Sequence, residues 1–434
     1  MTVSQGERAF PTEDGNDMSE ETHEASPKPN NSGPIQKYTL LFLVLACLIL
    51  LATAQLLEGS DPLEPSTYNS YTRQAMQWRK GKIALDGDVT FLELAIYEGE
   101  YYVSFPPVPT VPIFLLTFIW GEDVPDTLLL QLYSVIACVL VYTILKRAYG
   151  SPVLAAVWAF LLCFASSMLP ILQDGAVWYQ AQILAFLLTV AAIERTQKGK
   201  LTTAMIFFAL SVGCRPFNVL YGPLLLLYSL QTHLRGLNRR RKIMELLPGV
   251  LFGLSIAAMY ALYNYIRFDN IFEFGHNYLP EFSQEGGVQF AFSHILNHLS
   301  VFIWGLPFTQ TAEGLAFTKF GFSLFLASPV FICYLLWAAR DIIKRRMSVM
   351  KTAILITFFA HVLLLLSHRT GGGFQYGARY FVDCIPYVLL YLILPKKTGE
   401  AATQIGLAKP PWIEYALLCF GLIHNMIGLV FINL

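Results

Sequence analysis

Charge is scarce in this chain. Asp, Glu, Lys and Arg make up 14% of its 434 residues, and 30 basic against 30 acidic side chains leave a formal net charge of zero. A soluble domain carries about a quarter charged residues. With neither sign in excess, no global field points to nucleic acid as a partner. Cysteine occurs only seven times, at positions 47, 138, 163, 214, 333, 384 and 419, always within or at the ends of apolar segments. That spacing fits neither a thiolate metal site nor a disulfide framework, so these are small apolar core residues. The sequence has no HExxH, no GxSxG and no Gly-Lys-Ser/Thr phosphate loop, which removes support for the zinc, serine-hydrolase and P-loop chemistries that those motifs carry.

Apolar residues are abundant instead, at 55%. They recur in blocks of roughly 17 to 22, long enough to cross a ~30 Å hydrocarbon core. The expected fold class is an all-α polytopic membrane protein. Residues 1–37 are polar and rich in Glu, Asp, Pro, Asn and Ser; they bury too little to offset chain entropy and are expected to form a disordered cytoplasmic tail. Because the acidic tail precedes the first apolar block, 38–57 is expected to be a retained helix rather than a cleaved signal.

Basic clusters lie at Lys146-Arg147, Arg195 with Lys198 and Lys200, Arg235 to Lys242, Arg340 to Lys351, and Lys396-Lys397. Positive-inside bias places all of them in the cytoplasm. Crossings are then expected near 38–57, 126–146, 152–172, 181–195, 201–215, 217–231, 243–265, 322–339, 352–367, 380–395 and 412–433, about 11–13 in a membrane domain of residues 38–434. The segment 109–120 is short and reads as half-inserted or interfacial; 298–312 is ambiguous. Every loop of mixed polar and aromatic character then falls on the extracytoplasmic side of the cell (inner or plasma) membrane.

The longest of these is the first extracytoplasmic loop, 58–109. It holds Asp61, Glu64, Asp86, Asp88, Glu93, Glu98 and Glu100 among tyrosines, and Tyr68 to Lys82 has the pattern of an interfacial helix with Trp78 as anchor. Pro106-Pro107 fixes extended chain at its exit. The bland reading is a solvated loop with ordinary surface acids. In Gln173 to Tyr179, Asp174 sits at a depth where acids are costly and usually functional, or it merely caps a helix. Arg215, in Cys214-Arg215-Pro216, needs an anion: phosphate suits its planar fork, and an internal acid such as Asp174 is the alternative. Arg267 with His276, Asn264 and Asn277 lies just outside a span, as a binding group or a structured turn. His368 to Tyr380 contains Gly371-Gly372-Gly373 with Arg369, Gln375 and Arg379; backbone N–H groups and guanidinium together suit a phosphate or pyrophosphate, against a flexible hairpin as the alternative.

The motifs GEYYVSFPPVP, QDG, the RP junction, YNYIRFDNIFEFGHNYLPEF and GGFQYGARYFVDCIPY, taken in this order, resemble bacterial GT-C-type membrane glycosyltransferases. The likeness is nearest to the group related to the dolichyl-phosphate-mannose mannosyltransferase and aminoarabinose transferase families, over roughly 38–395. The resemblance implies a GT-C-like helical bundle with interfacial helices in its first loop. It implies an inverting enzyme that moves a sugar from a polyprenyl-phosphate donor to a glycan, lipid or protein acceptor of the cell envelope. A first-loop carboxylate would be the base and cationic groups would hold the departing phosphate. Where relatives carry an acid ahead of the first interfacial helix, this chain has Ser66-Thr67. Glu64 or Asp61 upstream, or Glu93, then stands in as base, or the chain is not catalytic; Asp174 matches the second acid common in these families. Donor binding falls to Arg215, Arg267, Arg379, Arg369, Tyr102 and Gln375, and Glu93, Asn69 and His276 fall to the acceptor or to structure. Some relatives need a divalent cation, Mg or Mn, for which His276 with Glu273 is the pair on offer. The competing readings are a lipid-linked-sugar transporter or flippase, which would place charges at mid-membrane depth, and a noncatalytic scaffold for envelope synthesis.

Overall fold

The computed structural model describes residues 34–283, 288–311, 314–394 and 412–431. The tail through residue 33 and the Lys396-Lys397 pair lie outside the described residues. In chain order the elements are α1 (Pro34–Glu58), α2 (Ser70–Arg79), β1 (Leu94–Tyr97), β2 (Glu100–Val103), α3 (Thr110–Trp120), α4 (Asp126–Tyr149), α5 (Pro152–Phe164), α6 (Met168–Ile171), α7 (Val177–Gln197) and α8 (Leu201–Val212). Then follow α9 (Tyr221–Gln231), α10 (Arg239–Phe268), α11 (Pro280–Ser283), α12 (Phe292–Trp304), β3 (Phe308–Thr311), β4 (Gly314–Phe317), α13 (Leu324–Ala327), α14 (Val330–Ile343), α15 (Val349–Ser367), α16 (Ile385–Leu392) and α17 (Trp412–Phe431). Short 3-10 turns occupy Pro216–Leu220, His276–Tyr278 and Arg379–Cys384.

The protein is a helical, polytopic membrane protein. Among the described residues six helices, α1, α4, α7, α10, α15 and α17, are long and apolar enough to cross a bilayer, and α3, α5 and α8 are shorter apolar helices. The α7 span is 89% buried and forms the centre, whereas the α10 span is 6% buried and runs along the periphery. Other apolar blocks are broken where proline removes a backbone donor. Pro216 opens the 3-10 turn ahead of α9, Ser328-Pro329 divides α13 from α14, and Pro386 sits in the first turn of α16. Between α5 and α6, Ser166 ties the break by donating to the Cys163 carbonyl and accepting from the Met168 N–H. The main core spreads over α1, α4, α5, α7 and α14 to α16 around Trp158, Phe164, Phe331 and Tyr387. Six of the seven cysteines are buried there or nearby, and Cys419 is exposed.

The segment 59–109 lies over one end of the bundle. Leu128 N–H donates to the Pro62 carbonyl (3.2 Å) and Val177 N–H to the Tyr68 carbonyl (3.0 Å), so α4 and α7 both start beneath this segment. At the opposite end, Arg147 of α4 meets Glu194 and Gln197 of α7. The α10 helix runs back from there: Gly249 packs on Leu201 and Thr202, and Arg267 reaches the Val103 carbonyl of the loop. Within the loop, β1 pairs antiparallel with β2, Leu94 opposite Val103. The turn places Glu98 (φ 52°) and Gly99 (φ 82°) in the left-handed region, as a tight two-residue hairpin requires. The interfacial helix expected over 68–82 is α2, turned inward along Tyr71, Gln74 and Ala75.

Candidate functional site

The first arm of the loop delivers Ser66 to the starts of α4 and α7. Its N–H donates to Asp126 Oδ1 (2.9 Å) and its hydroxyl to Asp174 Oδ1 (2.5 Å). Two carboxylates from segments 48 residues apart therefore converge on one serine. Asp126 is 1% exposed and Asp174 is half-buried, so one acid is sealed and its neighbour is open to the cleft. Gly175 makes this possible. A Cβ there would lie 2.3 Å from Asp126 Oδ1, and the Gly175 N–H donates to Thr127 Oγ1 (2.7 Å). Burial pushes the Asp174 carboxyl above its ordinary range, partly offset by the Ser66 hydroxyl and the Ala176 N–H, which favour the anion. A carboxylate with a raised pKa and solvent access is equipped to accept a proton.

Asp126 was absent from the sequence expectations. An acid in the first turn of an apolar helix reads as a complement to the helix dipole. The usable signal was its position, directly after Val124-Pro125 at the head of a crossing, where a charged group is expensive. Its carboxylate meets the loop entry at Ser66, where the loop itself has no acid.

Arg379 and Arg215 flank the ring of Tyr380, with guanidinium carbons 4.9 and 5.2 Å from its centroid. Arg215 is neutralised: its Nη2 and Nε lie 2.8 and 2.9 Å from Asp383 Oδ2, an acid further held by Gln182. Arg379 has no such partner among the described residues. Its Nε donates to the Gly372 carbonyl (2.7 Å), its Nη1 is buried with no acceptor, and the residue is 5% exposed. A buried guanidinium donor without an acceptor is costly and marks where an anion belongs. Gln375 builds the glycine turn that aims Arg379, accepting from the Arg379 N–H (2.8 Å) and donating to the Gly371 carbonyl (3.0 Å). Arg267 is spent on structure. It donates to the Val103 carbonyl and to Asn264 Oδ1, stacks on Tyr263 and Phe268, and clasps the exit strand to α10. Arg369 donates to the Glu281 carbonyl and lies against Phe282. Tyr102 packs edge-on against Phe268.

Glu93 is exposed at the cleft rim and accepts from the Trp178 indole N–H (3.0 Å). Desolvation raises its carboxyl, while the Trp178 bond and the field of Arg379 pull it down. His276 and His368 border the cleft as neutral imidazoles. Burial holds His276 down at about 4, with Arg215 adding to the effect. Burial, then the neighbouring His276, Arg215 and Arg379, holds His368 down at about 3. Asp61 and Glu64 are exposed: the Asp61 carboxylate caps the Leu63 N–H, and neither acid forms an ion pair among the described residues. Asn69 accepts from Arg73 Nε (3.0 Å) ahead of α2. The Glu273 oxygens accept from the Gly275 N–H and the Asn277 amide. Among the described residues no group of three or more His, Cys, Asp or Glu is placed to hold a metal ion.

No family model and no curated protein matches the sequence. In three dimensions the chain is similar to the oligosaccharyltransferase of Archaeoglobus fulgidus in its apo form. The TM-score is 0.53 at 13% sequence identity, over 92% of this chain and 57% of that one. The fold is GT-C. The GT-C proteins it resembles also include ArnT from Cupriavidus metallidurans bound to undecaprenyl phosphate, with TM-score 0.48 at 15% identity over 86% of this chain and 61% of that one. The chain thus spans 57–61% of the length of these proteins. The carboxylate pair lies at the end of the bundle covered by the first loop.

Proposed function

We propose that this chain is an inverting glycosyltransferase that moves a sugar from a polyprenyl-phosphate donor to a hydroxyl-bearing acceptor of the cell envelope. The cleft between the first loop and the bundle is its active site. The observation that carries the reading is the pair Asp126–Asp174 converging on Ser66, and beside it the guanidinium of Arg379, whose Nη1 is buried without an acceptor among the described residues. A base and an anion donor are the two groups that displacement at a phosphorylated anomeric carbon requires. The fold shared with an oligosaccharyltransferase is consistent with it.

In this mechanism Asp174 takes the proton of the acceptor hydroxyl as its oxygen forms a bond to the anomeric carbon. The bond from that carbon to the donor phosphate oxygen breaks, and the electron pair leaves with the polyprenyl phosphate. Asp126, sealed behind Ser66, accepts from the Ser66 N–H and so holds the serine whose hydroxyl positions Asp174. General-base catalysis is worth roughly 10²–10⁴-fold, and one preorganised donor at developing charge about 10²–10³-fold. Neutral His276 and His368 offer hydrogen bonds without adding charge. Arg215, already paired with Asp383, shapes the site instead of holding the phosphate. The basic clusters at the opposite end support an extracytoplasmic active face in the cell membrane.

The test is transfer itself. Purified protein in lipid nanodiscs is incubated with a panel of labelled polyprenyl-phosphate sugars and a membrane extract as acceptor. The reading predicts release of polyprenyl phosphate together with label in a new product of opposite anomeric configuration; product with retained configuration would overturn it.

A further inference from the structure

A second cleft lies outside this centre, on the aqueous side of the first loop. Its wall is one stripe of α2 and its cap residue: Asn69, Thr72, Arg73, Met76, Gln77 and Lys80, spaced three and four apart as one helix face requires. The turn Leu85 to Val89 and Glu122, beyond the end of α3, close it. Arg79 ties the two helices by donating to the Thr117 carbonyl (2.7 Å). The opposite stripe of α2 is committed to the interior, where Gln74 bonds Tyr263 and Thr110. The cleft therefore has its own walls and does not merge with the Ser66 centre.

Two polar side chains in this wall are almost fully buried and unsatisfied. Thr72 is 2% and Gln77 7% exposed, and neither Thr72 Oγ1 nor Gln77 Oε1 has a hydrogen-bond partner. Both oxygens are sealed within the wall, and the groups open to a ligand are the charged ones around them. The charges around them are nearly balanced. Asp86 is engaged by Lys80 and Lys82 (both 2.9 Å) and by the Gln77 amide, leaving Arg73 against the exposed carboxylates Asp88 and Glu122, which form no ion pair among the described residues. That balance rejects a phosphate or other polyanion. It suits a neutral ligand that both donates to carboxylates and accepts from a guanidinium. The cleft of about 280 Å³ is larger than a single ion or water needs. Met76, Leu85 and Val89 supply apolar surface for the C–H faces of a ring.

We propose that this cleft binds a neutral, polyhydroxylated ligand, with Asp88 and Glu122 accepting from its hydroxyls and Arg73 donating to them, and that the ligand is the outer part of a glycan acceptor. Its identity as acceptor rests on the proposed transfer reaction; the binding does not.

The experiment uses full-length protein in nanodiscs with methyl-labelled methionine, following the Met76 resonance. The titrants are neutral mannose, glucose and N-acetylglucosamine trisaccharides, with inorganic phosphate as control. At least one trisaccharide is expected to shift Met76 saturably below about 10 mM, and phosphate is not. The exposed pair of changes D88N/E122Q weakens that binding about tenfold or more. D174N removes transfer and leaves the affinity unchanged, so a failed reaction and a failed cleft are told apart. Absence of a shift with all three sugars, a shift with phosphate, or unchanged affinity in D88N/E122Q would each overturn the proposal.

Discussion

Gly175→Ala tests the geometry of the centre with one methyl group. The added Cβ would meet Asp126 Oδ1 at 2.3 Å, Thr127 N at 2.5 Å and the Asp126 carbonyl carbon at 2.6 Å. All three neighbours are rigid parts of the first turn of α4, so relief requires the Asp174 strand to retreat by about 1 Å, the shortfall from ordinary contact of roughly 3.5 Å. Overpacking of this kind costs about 1–3 kcal/mol. The same retreat pulls Asp174 from Ser66, and a displacement of about 1 Å at a reacting group lowers turnover by on the order of 10²-fold. Gly87→Ala is the control for the melting temperature alone: a Cβ there meets nothing within 4 Å, and its φ is not left-handed. Thermal unfolding in detergent and transfer rates in nanodiscs read both effects. G175A melting and turning over like wild type would refute the tight juxtaposition of Asp174 with Asp126.

Three further outcomes follow from the same contacts. Ser66→Ala removes a bond that favours the Asp174 anion, so the Asp174 pKa rises further and the acid limb of the pH–rate profile moves to higher pH by about one to two pH units; an unmoved limb would separate Asp174 from the rate. Asp383→Asn leaves Arg215 in a half-buried site without its carboxylate, at a cost of about 3–5 kcal/mol, read as a lowered melting temperature that Arg215→Met on the same background partly restores. His276 and His368 are held neutral below the ordinary histidine value of 6.5, so the unfolded chain binds more protons between that value and the folded ones. Their contribution is present above pH 6.5 and is lost as pH falls, about 2 kcal/mol from His276 by pH 5. Melting curves at pH 7.5 and 5 should converge in H276N/H368N, and an equal acid loss in that variant would place the acid sensitivity elsewhere.

Hydropathy made the long crossings legible because apolarity over a bilayer's length has few other causes: 38–57, 126–146 and 352–367 are contained in or closely match α1, α4 and α15. It did not see interruptions. The blocks 152–172 and 217–231 are equally apolar but are divided by Ser166 and Pro170 or begin in a 3-10 turn at Pro216, because apolar side chains say nothing about where a backbone donor is missing. The same division runs through the site. Asp174, Arg379, Gln375 and Glu93 stand out in the sequence as candidates because polar groups are conspicuous in an apolar background. What each arginine does was not, since Asp383 for Arg215 and Val103 for Arg267 lie 168 and 164 residues away in sequence. Asp126 hid in a helix start for the same reason: its meaning comes from Ser66, 60 residues earlier.

The rate of polyprenyl-phosphate release with acceptor present, compared among D174N, D126N and D61N/E64Q, tests the central claim most directly. The account predicts a loss of at least about 10²-fold in D174N, a smaller loss in D126N, and near wild-type turnover in D61N/E64Q. Wild-type release from a D126N/D174N protein, or its abolition in D61N/E64Q alone, would contradict it.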